Sequence, residues 1–371
     1  LKTPNVPPLR FPGFTDEWEK TSLGEIGETL IGLTYSPKDV VENGGTIVFR
    51  SSNIQNGMID YSDLVRVNKS IKERIITKEN DILVCARNGS TRLIGKNTLL
   101  KKSDSGNTFG AFMMIYRSED NDIVHPILST RRYFSQVSEN LGARINQITT
   151  SDLNSFEFNL PNNPEEKRKI GKLFQLINER IATQNKIIDN LKSLIKGLAK
   201  ELTTVGTPNM CIKDCTECHS SALQENCVQD YGNFPVYGAS GVAGYTNDYQ
   251  NDGEAILIIK DGSGVGTLTY VNDRFSIIGT LNYLTTKPQI SLKYLYFCLM
   301  SFNFETYKTG MAIPHIYFKD YGSAKIWCPP IDEQEKIAIT LSAIENKFNV
   351  ESILLQSLIS KKQYLLSQLF I

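Results

Sequence analysis

Cys211, Cys215, Cys218 and His219, with Cys227 close behind, set out a CxxxCxxCH spacing of the kind that grips a tetrahedral metal. Zinc sites of this type draw on two separated pairs, and no distant pair answers this one, so reduced thiols are the plainer reading. Asp261 Gly262 Ser263 Gly264 Val265 Gly266 is the nearest thing to a phosphate cradle. The next residues, Thr267 Leu268 Thr269 Tyr270 Val271, alternate as a strand instead of opening a helix, which predicts a hairpin turn. Methyl transfer to a base amine uses an Asn/Asp-Pro-Pro-aromatic loop, and the Pro-Pro pairs here, Pro7 Pro8 and Pro329 Pro330, lack that context. No ATP-binding lysine loop occurs, and His125, His219 and His315 have no partners at nucleophilic or acid–base spacing. No catalytic centre and no metal site is expected in the chain. Cys85, Cys298 and Cys328 lie in apolar runs and read as small core residues.

The elements that organise the chain are two long heptad segments, 165–202 and 332–369. Steps of four and three residues hold Ile170, Phe174, Ile177, Ile181, Gln184, Ile188, Leu191, Ile195, Leu198 and Leu202 in the first. The same register holds Ile337, Leu341, Ile344, Phe348, Glu351, Leu355, Leu358, Lys362, Leu365 and Leu369 in the second. The polar breaks Gln184 and Glu351 fall at the same heptad. An apolar repeat of 3.5 residues keeps one seam facing a partner helix, so a coiled coil is expected, with Ile177, Ile181, Ile188 and Leu191 against Ile344, Phe348, Leu355 and Leu358. Each helix would run ~55–60 Å at ~1.5 Å per residue. Pro164 before Glu165 Glu166, and Pro329 Pro330 before Asp332 Glu333, suit helix starts. A pair of ordinary long core helices is the plainer alternative.

The duplication reaches upstream. Gly142 Ala143 Arg144 Ile145 Asn146 Gln147 Ile148 matches Gly310 Met311 Ala312 Ile313 Pro314 His315 Ile316, and the run Asp81–Gly89 matches Glu254–Gly262 as a buried strand closed by Asn-Gly or Asp-Gly. Thr46–Gly57, Asn80–Leu83 with Arg87 Asn88 Gly89 Ser90, and Pro330–Ile337 together resemble type I restriction–modification specificity subunits; Asn233–Gly241 looks like the start of a second target-recognition domain. The resemblance covers nearly the whole chain, from Phe11 to Phe370. It implies an α+β fold with a pseudo-twofold repeat: recognition domains at 1–160 and 204–328, and helices at 161–203 and 329–371 pairing antiparallel. It further implies a non-catalytic reader of bipartite double-stranded DNA that scaffolds two methyltransferase subunits and endonuclease/translocase subunits of a DNA (adenine) methyltransferase and ATP-dependent endonuclease complex. S-adenosylmethionine, ATP and Mg2+ would be bound in those partners.

Composition bounds this reading. The 371 residues are 40% hydrophobic, enough for two ordinary cores, and the net charge of zero confines any DNA contact to local patches. Arg87, Arg92, Lys96, Lys101 and Lys102 form one such patch, with no acid between 82 and 103, whereas 204–328 carries eight basic against eleven acidic residues. The expected DNA contacts are Arg50, Asn53, Gln55, Arg87, Asn88, Ser90 and Arg92 in the first module, and Lys260, Ser263, His315, Tyr317 and Lys319 in the second. Arg and Asn/Gln pair bidentately with guanine and adenine edges. Asn53, Asn56 and Asn88 also stand where turns form and equally suit backbone capping. No apolar run reaches the ~18 residues of a membrane span and no signal peptide is visible, so a cytoplasmic location is expected. Two rival readings are a nuclease or methylase with a cryptic site and a coiled-coil adaptor that never touches DNA.

Overall fold

A computed structural model describes residues 5–141 and 146–370. The chain divides into two compact units, Leu1–Asn185 with Ile353–Ile371, and Lys186–Ser352. The division differs from the four-segment partition expected from the sequence, because each long helix is a single rod whose two ends complete different cores. Pro164–Thr203 and Ile331–Leu369 are both continuous. Every heptad seam position is buried or half-buried, Gln184 and Glu351 included, whereas Leu176, Leu194, Ile339, Val350 and Ile353 are exposed. Among the described residues no helix is long and apolar enough to cross a membrane.

In the first unit, a four-stranded antiparallel sheet runs in the order Glu28–Ile31, Met113–Arg117, Ile82–Cys85, Asn97–Leu99. Ile82–Cys85 is wholly buried and two-faced. Ile82 and Val84 enter one core with Trp18, Tyr116 and Tyr133, while Leu83 and Cys85 enter another with Phe49 and Phe109. The period of two sends neighbours to opposite faces, and a strand covered on both faces reads as an unbroken apolar run. The first core also takes Ile170 and Phe174 from the first long helix and Leu366 and Leu369 from the end of the second. A second sheet, Thr108–Phe109, Thr46–Phe49, Val65–Val67, Val40–Val41, is built largely from the segment inserted between Ile31 and Ile82.

The second unit repeats this connectivity. Its sheet begins Thr216–Ser220, Leu281–Thr286, Asn251–Ile259, Leu268–Ile277, again antiparallel and in the same sequence order, and then adds Phe234–Gly238 and Gly241–Thr246. Its central strand is likewise two-faced, with Ile256 and Ile258 in the core that holds Ile195, Ala199, Ile337 and Leu341, and Leu257 and Ile259 in the other. Segment 260–267 closes a hairpin, with the Gly266 amide on the Ile259 carbonyl (2.9 Å) and the Ile259 amide on Thr267 (3.1 Å). Asn88-Gly89 ends the buried strand as the sequence match suggests, but inside a longer loop, 86–96, which Cys85 closes through its amide on Lys96 O (2.8 Å) and its carbonyl on Gly95 N (2.9 Å). The Asn88 side chain accepts the Ser90 amide at 3.0 Å, so the dipeptide starts an Asx turn and opens the loop that leads to Asn97–Leu99.

The His125 imidazole of the helix Asn121–Ile127 is pushed down to about 3, first by burial and then by the charge of Lys362. An unfolded imidazole titrates near ~6.5. Between these values the unfolded chain takes up a proton that the fold refuses, so this contribution is complete above pH ~6.5 and is lost on acidification, by at most ~1.4 kcal/mol per pH unit. Urea midpoints at pH 7 and pH 5 should therefore lie further apart for the native chain than for His125→Gln.

Candidate nucleic-acid interface

Where the central strand of the first unit ends, the Ala86 and Arg87 amides both donate to the Phe112 carbonyl at 3.0 Å. Segment 146–148 pairs against the same strand end. Ile148 N donates to Ala86 O (2.9 Å), Asn88 N to Asn146 O (3.4 Å), and Arg87 lies directly opposite Gln147 in an antiparallel bridge. Asn88 Nδ2 donates to Ser51 Oγ (3.0 Å), which brings the 50–55 and 87–92 segments into one place. The Arg87 guanidinium lies 5.1 Å from the centroid of Phe112, a ring 59% exposed. Ser90 and Arg92 are exposed at the Thr91–Leu93 turn; Gln55 is exposed and donates to Ser52 O (3.0 Å). Lys101 and Lys102 are exposed and Lys96 is half-buried.

Two of the expected contacts have other occupations. Asn53 is buried; its Oδ1 accepts the Arg50 amide (2.9 Å) and its Nδ2 donates to the carbonyls of Asp60 (3.1 Å) and Asp63 (2.7 Å). An amide that could read adenine is here spent on the backbone of its own loop. Asn53→Ala should cost about 1–3 kcal/mol, the penalty for stranding those groups, read as a lower urea midpoint. The half-buried Arg50 donates to the Asp63 carboxylate at 2.7 Å. Asn56 and Gly57, at φ 51° and 72°, form the tight turn between Ile54–Gln55 and Met58–Ile59, a backbone that Asn-Gly adopts readily.

The second unit builds the same frame from different side chains. Lys260 and Asp261 amides donate to the Thr280 carbonyl (3.0 and 3.3 Å), Ile316 N to Lys260 O (2.9 Å) and Gly262 N to Pro314 O (2.9 Å), with Asp261 opposite His315 in an antiparallel bridge. Thr309 and His315 exchange backbone bonds at 2.9 and 2.8 Å around Gly310, whose φ of 86° suits glycine. The His315 ring meets Tyr317 edge-on (4.9 Å between centroids), and the Lys319 ammonium lies 5.2 Å from the same Tyr317 centroid. Lys260, Tyr317 and Lys319 line a cleft of about 410 Å³ together with Cys218, Ser220 and the buried Asn282. Burial pushes the Cys218 thiol up to about 11, so it stays protonated at neutral pH. Ser263 is exposed on the hairpin. The frame also holds Phe112, Gln147 and Asp261, and the cleft Asn282, none of which is among the DNA contacts expected from the sequence. The repeat had already aligned Gln147 with His315; the Gly142–Ile145 part of that match lies outside the described residues.

The cysteine cluster disperses. The Cys215 and Cys328 thiols influence each other, which raises Cys215 and lowers Cys328, and His219 stacks on Tyr283 at 4.6 Å with Nε2 3.1 Å from Thr285 Oγ1. Among the described residues no group of three or more His, Cys, Asp or Glu side chains is arranged to hold a metal.

The profile of the type I restriction modification DNA specificity domain matches residues 15–193 and again 207–358. A Mycoplasma pneumoniae protein named as a type I specificity subunit is 32% identical over 139 residues, 36% of this chain and 44% of the relative, so the chain spans less than half the length of that protein. A Methanocaldococcus jannaschii protein named as a specificity subunit of the type I restriction enzyme MjaX is 24% identical over 91% of this chain and 88% of its own length. The crystal structure of a type I restriction-modification S subunit from M. genitalium has a similar fold, with a TM-score of 0.68 over 99% of both chains at 18% identity.

Proposed function

This chain belongs to the type I restriction modification DNA specificity family, and on that premise we propose that it is the non-catalytic subunit that reads both halves of a split DNA sequence for a restriction–modification complex. The observation that carries the reading is that the family profile matches twice, once over each module, and that both modules hold the same four-strand order and the same strand-end frame. Two frames with one backbone and unlike side chains suit two unlike half-sites. Phosphate attraction comes mainly from the first module through Arg92, Lys101 and Lys102, and base-edge contacts from both.

S-adenosylmethionine, ATP and Mg2+ belong to the partner subunits, methyltransferase and endonuclease/translocase. The test is methylation of duplex DNA by the chain alone, by a methyltransferase subunit alone and by the two combined. Only the combination should modify adenine, and at one bipartite motif. Cutting or methylation by this chain alone would overturn the reading.

The long helices act in this reading as an antiparallel coiled coil that sets the unread spacer, with half-sites centred ~34–36 Å apart. Support comes from the early Phe174 sharing a core with the late Leu369, and the late Ala199 sharing one with the early Leu341. The outer faces dock two methyltransferase subunits through polar residues such as Glu179, Arg180, Lys186, Asn190, Lys192, Asn346 and Gln356, interleaved with exposed Leu176, Leu194, Val350 and Ile353. Glu345 and Lys347 are less available for docking, since Glu345 pairs with Lys293 at 2.6 Å and Lys347 pairs with Glu351. One heptad inserted into each helix adds ~10 Å, so the unread spacer should lengthen by about three base pairs while both half-sites stay the same. Sequencing of the methylated motif reads this directly.

A further inference from the structure

The two strand-end frames correspond residue by residue, and the correspondence adds Arg87 with Asp261 to the repeat's match of Gln147 with His315, which assigns a pair of base-reading positions in each module. In each module the residue after the one bonded to segment 146–148 or 314–316 sits in an isolated antiparallel bridge, Arg87 with Gln147 and Asp261 with His315. The flanking bonds, Ile148 to Ala86 and Asn88 to Asn146, and Ile316 to Lys260 and Gly262 to Pro314, leave the bridged residues as the non-hydrogen-bonded pair. Side chains of such a pair project from one face with their Cα atoms only ~4.5 Å apart. The backbone is held by its own bonds, so the side chains at these positions are free to vary without loss of the frame.

We infer that Arg87 with Gln147, and Asp261 with His315, are the residues that determine which bases each half-site contains. The inference rests on the specificity-subunit reading. The chemistry at the matched positions is opposite in sign. Arg87 offers a donor fork suited to the O6 and N7 acceptors of guanine, and Gln147 the donor and acceptor that match adenine. Asp261 offers only acceptors, suited to the cytosine amino group, and so discriminates against the bases that Arg87 selects. Phe112 adds a further difference. Its exposed ring underlies the Arg87 guanidinium, which limits the conformations the arginine must give up on binding, whereas the corresponding carbonyl in the second module belongs to Thr280.

The experiment co-expresses the full chain with its methyltransferase subunit in cells free of other adenine methylation, and sequences the modified sites for the native chain and for Arg87→Gln, Gln147→Ala, Asp261→Asn and His315→Ala. The first two should alter or relax the preferred base in one half-site, and the last two in the other, with methylation of the original motif down about 10-fold or more. Unchanged motifs in folded variants would overturn the assignment, as would a loss spread evenly over all sequences, which marks phosphate contacts. Co-purification with the methyltransferase subunit and an unshifted melting temperature identify folded variants, and either member of each pair suffices for the test. A native complex that methylates no bipartite motif would instead sink the specificity-subunit reading itself.

Discussion

Replacing Asp81 with alanine is expected to destabilise the first unit by about 3–5 kcal/mol, read as a lower urea midpoint. Asp81 is 2% exposed, and Arg117 meets it bidentately, Nε to Oδ1 at 2.7 Å and Nη2 to Oδ2 at 2.6 Å, while the Lys78 amide donates to the same carboxylate at 2.8 Å. The hydrogen bond to Asp81 is the largest influence holding the Arg117 guanidinium above its usual value against the cost of burial. Removing the carboxylate leaves that charge half-buried, with the carbonyls of Arg74 and Ile76 and the more distant charge of Glu28 in its place. A matching change in the exposed Arg50–Asp63 pair, Asp63→Ala, should cost no more than about 1 kcal/mol through the ion pair, because water screens it. Asp81 immediately precedes Ile82–Cys85, so the loss would loosen the strand that presents Arg87.

Phe174→Ala should cost a similar ~3–5 kcal/mol in the same unfolding experiment. The ring is 1% exposed and stacks on Phe370 at 5.7 Å, within a core that also takes in Ile170, Leu366 and Leu369. The change deletes transfer energy and leaves a cavity that two helices and a sheet cannot readily close. Leu176→Ala, two residues along the same helix at a position 51% exposed, should move the midpoint by no more than ~0.5 kcal/mol. Equal effects would show that the seam register has been misassigned.

The helices were legible in the sequence because their signal is local: a stripe every 3.5 residues marks both the helix and the face it buries. The matching four-strand order was not, because strand partners are distant in the chain and the segments inserted after Ile31 and Ser220 differ. Nothing local announces that Met113–Arg117 and Leu281–Thr286 are equivalent. The cysteine spacing does not bring its residues to one point, for a geometric reason. Cys218 and His219 are neighbours on the strand Thr216–Ser220, so the pleat turns one toward the cleft with Asn282 and the other toward Tyr283. Asn53 shows a limit of residue type as evidence, since the donor and acceptor that fit an adenine edge also fit the two sides of a turn. Exposure decides between these uses, and sequence does not give it.

The sharing of each helix between two cores also constrains the order in which the chain can be made and folded. Phe370 packs on Trp18 as well as on Phe174, and the Gln368 carbonyl accepts the Leu9 amide at 3.1 Å. A chain leaving the ribosome at about 5–20 residues per second has the whole second unit, Lys186–Ser352, in hand before residues 366–370 exist to close the first. The module made first is thus finished last, and during that interval Trp18, Ile170 and Phe174 lack their final partners.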